Sequence, residues 1–179
     1  MNHREIEALI TRYPIYQYAF VSTDDIEFTD KVRSICKKEC ARYGKSWSCP
    51  PAVGTLDECK NRCRRFPEAL FFSTIADVED YSDMDRLLET RREHKKITGE
   101  IEELLKKEGN QCYTLSSDSC ALCEKCTYPK RSCVHPEQMH PCIESHGIVI
   151  IPLVEANHMD YFMGERMVVW FSLIFLQPV

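Results

Sequence analysis

The sequence Cys120-Ala-Leu-Cys-Glu-Lys-Cys-Thr-Tyr-Pro-Lys-Arg-Ser-Cys133 places four thiols at the spacing Cys-x2-Cys-x2-Cys-x6-Cys. In a loop, each two-residue step lets the chain turn around a metal ion or a cluster, and a fourth thiolate a few residues later closes the shell. We therefore predict a cysteine-rich metal-binding loop, and we expect the rest of the fold to hold it in place.

Two kinds of metal centre suit this loop. A third cysteine in the same register suits the four corners of a [4Fe–4S] cluster, with Cys120, Cys123, Cys126 and Cys133 as ligands. Bacterial ferredoxins use a related run, although their fourth cysteine lies further along the chain. Structural zinc is the alternative, because Cys120, Cys123, Cys133 and His135 would supply its four ligands and leave Cys126 without a role. A disulfide framework ranks last.

A second candidate group consists of Cys36, Cys40 and Cys49. Cys36 and Cys40 are four residues apart and would share one face of a helix, while two prolines hold Cys49 extended at a loop edge. Three convergent thiolates predict a second [4Fe–4S] cluster whose fourth ligand is Cys59, Cys63 or none, with one iron open. The alternative is that Cys36 and Cys40 are small buried hydrophobic residues.

Composition limits the class of protein. A chain of 179 residues suits a single domain over 1–179, with metal loops at about 36–63 and 116–147. Eleven cysteines cannot all pair, and no apolar export segment opens the chain, so we expect a reducing cytoplasmic environment in which clustered thiols bind metal. The net charge of −5 without a basic block argues against nucleic acid, and the longest apolar run, 167–176, is too short to span a membrane.

Hydrophobic periodicity predicts helices mixed with strands. Apolar residues recur at helical spacing in four segments, and short runs of β-branched and aromatic residues mark five strands. The predicted helices cover 4–11, a segment capped by Thr29, 55–65 and 83–107, and the predicted strands cover 15–22, 69–75, 111–116, 148–153 and 168–175. We predict an α/β or α+β sandwich, in which helices pack against a central sheet of four to five strands.

Several motifs in this order resemble a known family. They are Cys36-x3-Cys40, Tyr43-Gly44, Trp47-Ser-Cys49-Pro-Pro51, Ser119-Cys-x2-Cys-x2-Cys-Thr-Tyr-Pro129, Cys133-x2-Pro136 and Glu144-x2-Gly147-Ile148. Together they resemble the predicted metal-binding proteins of the domain of unknown function 2284, found in bacteria and archaea, many of them anaerobes. The resemblance implies no activity. It implies that both cysteine groups bind metal, through Cys36, Cys40, Cys49, Cys120, Cys123, Cys126 and Cys133. This chain differs from the family's pattern in having Cys142 where serine is usual.

The sequence contains no phosphate-binding loop, dinucleotide fingerprint or serine–histidine–carboxylate order, so we assign no catalytic residue. We expect an iron–sulfur protein of anaerobic metabolism that transfers electrons, or that activates a redox or corrinoid-type partner enzyme such as a corrinoid-dependent methyltransferase. The alternative is a zinc-stabilised binding module that lacks catalytic activity.

Overall fold

The structure is a computed structural model that describes residues 1–178. Within this range it contains five α-helices and four β-strands. The helices are α1 (His3–Ile10), α2 (Asp30–Glu39), α3 (Leu56–Cys63), α4 (Met84–Lys107) and α5 (Ile150–Ala156), and the strands are β1 (Gln17–Ser22), β2 (Glu68–Asp77), β3 (Asn110–Ser116) and β4 (Met167–Pro178). The mixed α/β fold with helices and a sheet of four strands is confirmed.

The sheet is antiparallel throughout, in the order β1-β2-β4-β3. The two central strands are the long apolar ones, and Phe71 of β2 lies opposite Leu173 of β4. Successive residues of β2 point to opposite faces, yet Leu70, Phe71 and Phe72 are all fully buried. Both faces of the sheet are therefore covered.

Each face of the sheet has its own hydrophobic core. On one face, Leu70 and Phe72 pack with apolar residues of α1 and with Ile101 and Leu105 of α4. On the other face, Phe71 packs with α5 and with the segment that follows the cysteine loop, through Ile143. The cysteine-rich loop between β3 and α5 therefore leads from the sheet to the core that contains Phe71 and Ile143. No helix within residues 1–178 is both long enough and apolar enough to cross a bilayer.

Local signals set the ends of several helices as the sequence predicts. Asp83 caps α4, where its carboxylate accepts a hydrogen bond from the backbone N–H of Arg86 at 2.9 Å. After α4, Gly109 turns the chain with φ of +85°. Thr29 caps α2 in the same way and accepts from the N–H of Lys31 at 3.2 Å.

One prediction about local structure is wrong. The apolar run 148–153, predicted as a strand, is largely helical, because α5 begins at Ile150. Pro152 fits its first turn, where the missing N–H would have no partner within the helix, and Leu153 packs into the core. Cys36 and Cys40 lie one helical turn apart as predicted, because the N–H of Cys40 donates to the carbonyl of Cys36 at 3.3 Å. Helix α2 ends at Glu39, and Cys40 is its exposed, extended C-terminal cap.

A buried histidine makes stability depend on pH. His94 of α4 is 1% exposed and lies between the hydroxyls of Thr74 and Ser172, each 2.8 Å from a ring nitrogen. Burial lowers its pKa from 6.5 to about 3. As the pH falls below 6.5, the unfolded chain gains a proton that the folded chain does not take up, so folding becomes less favourable until about pH 3.

We expect His94→Gln to reduce the free energy of unfolding by about 2 kcal/mol near pH 8, through lost hydrogen bonds and packing. This deficit should shrink by up to about 1.4 kcal/mol for each pH unit below 6.5, because the variant lacks the titrating group. Urea unfolding of the variant and the wild-type chain between pH 5 and pH 8 measures this deficit. Thr74→Val removes one of the same hydrogen bonds but no titrating group, so its deficit should stay constant. A His94→Gln deficit that does not change with pH would contradict this account.

Candidate metal centres

The four cysteines of the Cys120 loop lie around one small cavity, and we call these four residues the first site. The cavity has a volume of about 20 Å³, and the thiols that line it are half-buried. His135 lines the same cavity. The four residues predicted for a cluster, and the four predicted for zinc, therefore all line this cavity.

A tight turn returns the chain from Cys126 to Cys133. Within it, the hydroxyl of Thr127 donates to the carbonyl of Ser132 at 2.9 Å, and the N–H of Arg131 donates to the carbonyl of Thr127 at 3.1 Å. These contacts close the six-residue spacing, and the fourth thiol thereby reaches the cavity of the other three.

Trp47 covers part of the loop. Its ring meets that of Tyr128 edge to face, with centroids 4.9 Å apart, and its Nε1–H donates to the carbonyl of Arg131 at 3.1 Å. Trp47 also lines the cavity of the first site. An aromatic ring in this position shields the thiols from water.

Cys36, Cys40 and Cys49 line another cavity, which has a volume of about 820 Å³. We call these three residues the second site. Cys36 and Cys49 are buried, and Cys40 is exposed. Cys142 and Glu144 line the same cavity, and Cys142 is 6% exposed. The structure therefore brings the three predicted thiols to one cavity and adds a fourth that sequence reasoning did not assign.

Cys59 and Cys63 do not line the cavity of the second site. Both lie in α3, where Cys59 is fully buried with its sulfur 3.4 Å from Nη2 of Arg62 and 3.8 Å from Nη1 of Arg33. Cys63 belongs to the apolar core against the sheet, and burial raises the pKa of its thiol far above the usual range. Neither residue is placed to complete a shell with Cys49.

The thiols of the second site differ in acidity. The pKa of Cys49 is lowered to about 7, mainly by its interaction with the nearby thiol of Cys142; burial opposes this shift, and the hydroxyls of Ser48 and Ser46 add to it. Burial raises the pKa of Cys36 to about 11. At neutral pH, Cys49 thus supplies a thiolate, the form that binds metal, more readily than Cys36 does.

Ser48 connects the two sites. Its hydroxyl accepts a hydrogen bond from the N–H of Cys120 at 2.9 Å, and its carbonyl accepts one from the N–H of Cys142 at 3.1 Å. Ser48 is fully buried and precedes Cys49 in the chain. One residue and one hydrogen bond therefore separate a cysteine of the second site from a cysteine of the first.

As placed, the side chains of residues 1–178 do not form a group of three or more His, Cys, Asp or Glu residues that could hold a metal ion. All eleven cysteines are free thiols. The donors around each cavity are predominantly sulfur, which suits zinc or iron–sulfur chemistry. The residues present therefore fit such a group in chemical type.

An α/β sandwich that brings two groups of free thiols to neighbouring cavities defines a cysteine-rich protein of metal-binding type. The chain belongs to the family described as predicted metal-binding protein (DUF2284), whose family model matches residues 19–176. No curated protein and no solved structure matches the chain.

Sequence reasoning missed the position of Cys142. Its only signal in the sequence was its closeness to the first site, nine residues after Cys133. What carries it to the second site is a parallel bridge between Ser116, at the end of β3, and Cys142. That pairing depends on the folded sheet, and no local spacing reports it.

Proposed function

We propose that this chain is an iron–sulfur protein with one [4Fe–4S] cluster at the first site and a second at Cys36, Cys40 and Cys49. The observation that carries the proposal is that Cys120, Cys123, Cys126 and Cys133 all line one small cavity. Four thiolates around one centre are the usual ligand set of such a cluster. No step of catalysis is assigned to either site.

The third cysteine of the first site favours iron–sulfur over zinc. A zinc ion held by Cys120, Cys123, Cys133 and His135 would be saturated, and Cys126 would line its cavity without a role. Zinc stays the second candidate because His135 lines that same cavity. In that case the metal would stabilise a binding module, and its binding energy would be folding energy.

The role we propose is electron transfer, or redox activation of a partner enzyme, such as a corrinoid-dependent methyltransferase in anaerobic metabolism. Two features support it. The thiols of the first site are half-buried beside exposed Leu122 and Val134, so a partner can approach this site closely. The buried Ser48 joins the two sites and offers a short route for an electron between them.

The test is metal and sulfide analysis, with electron paramagnetic resonance, on protein prepared without air. We expect a brown protein with about eight iron and about eight acid-labile sulfide per chain, and a cluster signal after reduction. Air must be excluded because oxidation destroys clusters and leaves thiols to form disulfides or bind zinc. A colourless protein that contains zinc and no sulfide would reject the proposal in favour of the second candidate.

A further inference from the structure

The geometry points to Cys142 as the fourth thiolate of the second site, where it completes a shell with Cys36, Cys40 and Cys49. All four thiols line the same cavity. The inference rests on the proposed function in one respect only, that the second site holds a metal. It does not depend on which metal that is.

Contacts on both sides fix the position of Cys142. Its N–H donates to the carbonyl of Ser48 at 3.1 Å, which ties it beside Cys49. On the other side, the N–H of Ser116 donates to the carbonyl of Pro141 at 3.1 Å and anchors the segment to the end of β3. Backbone hydrogen bonds on either side thus hold Cys142 near Cys49, at the cavity that both residues line.

A backbone amide orients the sulfur of Cys142. The N–H of Ser145 points at this sulfur, with a nitrogen-to-sulfur distance of 3.2 Å. An amide that donates to sulfur orients its lone pairs, as do the partners behind the ligands of known metal sites. Cys36 is held close by, since its sulfur lies 3.9 Å from the carbonyl oxygen of Glu144.

The competing fourth ligand is the carboxylate of Glu144. This residue lines the same cavity, and its Oε2 is buried without a hydrogen-bond partner in the described structure. We favour Cys142 because iron in clusters, like other soft centres, prefers sulfur to oxygen, and because the N–H of Cys142 is hydrogen-bonded to Ser48, the residue that precedes Cys49.

A shell of four thiolates has a chemical consequence. A centre with three protein ligands keeps one position free for water or substrate, whereas four ligands leave none. With Cys142 in place, the second site would pass electrons and would not bind a substrate at the metal. The adjoining apolar wall, which includes Trp170 and Phe171, would then exclude water from the centre.

Cadmium-113 NMR of the metal-free chain refilled with ¹¹³Cd²⁺ tests the inference, because the chemical shift of cadmium reports how many sulfurs bind it. We expect two resonances, both in the region of four thiolates. In Cys142→Ser, one should move upfield into the region of three thiolates while the other stays, which also shows that the variant is folded. Glu144→Gln, the matched control, should leave both in place.

The inference would be overturned if the resonance that moves in Cys142→Ser already lay outside the four-thiolate region in the wild-type chain. It would also be overturned if Cys142→Ser left both resonances unchanged, or if Glu144→Gln moved one of them upfield. Failure of the proposed function looks different. A chain that shows two four-thiolate cadmium sites but contains no iron or sulfide after isolation without air would reject the clusters and keep Cys142 as a ligand.

Discussion

A Cys126→Ala variant prepared without air is expected to hold about half the iron and about half the acid-labile sulfide of the wild-type chain. The reason is that a cluster of four irons needs Cys126 as its fourth corner at the first site, whereas the second site uses thiols that line a different cavity. The electron paramagnetic resonance signal of one cluster should disappear and that of the other should remain.

The matched variant is His135→Ala. His135 lines the cavity of the first site but is not a ligand in the cluster arrangement, so its loss should leave the iron content unchanged. The zinc arrangement predicts the reverse, with metal lost from His135→Ala and kept by Cys126→Ala. Cys112→Ala controls for the loss of any thiol, because Cys112 lies in β3, packs against the core formed with α1 and α4, and should not affect metal.

The parts of the fold that depend on neighbouring residues could be predicted from the sequence. Asp83 and Gly109 frame α4 through hydrogen bonds and dihedral angles within a few residues, and both ends are where the sequence places them. The first site is similar, because the spacing of its cysteines is so short that a single loop brings them to one cavity. In each case, interactions between residues close together in the sequence were sufficient for the prediction.

The parts that depend on the assembled sheet could not be predicted. The run 148–153 has the composition of a strand, but the sheet ends at β3 and at β1, and the run instead packs as α5 against the core around Phe71. Cys142 is a similar case, since its partner Cys49 lies 93 residues earlier in the chain. The hydrogen bond from Cys142 to Ser48, which brings Cys142 near Cys49, requires that β3 and the segment around Ser48 already be in place.

A Gly147→Ala variant is expected to lose about 3 kcal/mol or more of folding free energy. Gly147 has φ of +72°, which costs a residue with a side chain, and an added Cβ would lie 2.5 Å from Cδ1 of Leu56 and 2.9 Å from the carbonyl oxygen of Thr29. Both distances are shorter than real Cβ contacts, so the neighbouring atoms would have to move, and the backbone oxygen has little room to do so. Urea unfolding of the variant beside the wild-type chain measures the loss.

The same substitution should release metal from the second site before the first. The carbonyl of Gly147 accepts a hydrogen bond from the N–H of Thr29 at 2.8 Å, and Thr29 caps α2, which carries Cys36. A Cβ that pushes Thr29 away would therefore move Cys36 away from the cavity it shares with Cys49.

Gly109→Ala is the matched control, because the φ of Gly109 is +85° but an added Cβ meets nothing within 4 Å. It should cost about 1 kcal/mol from backbone strain alone and keep both metals, so equal losses in the two variants would refute the steric argument.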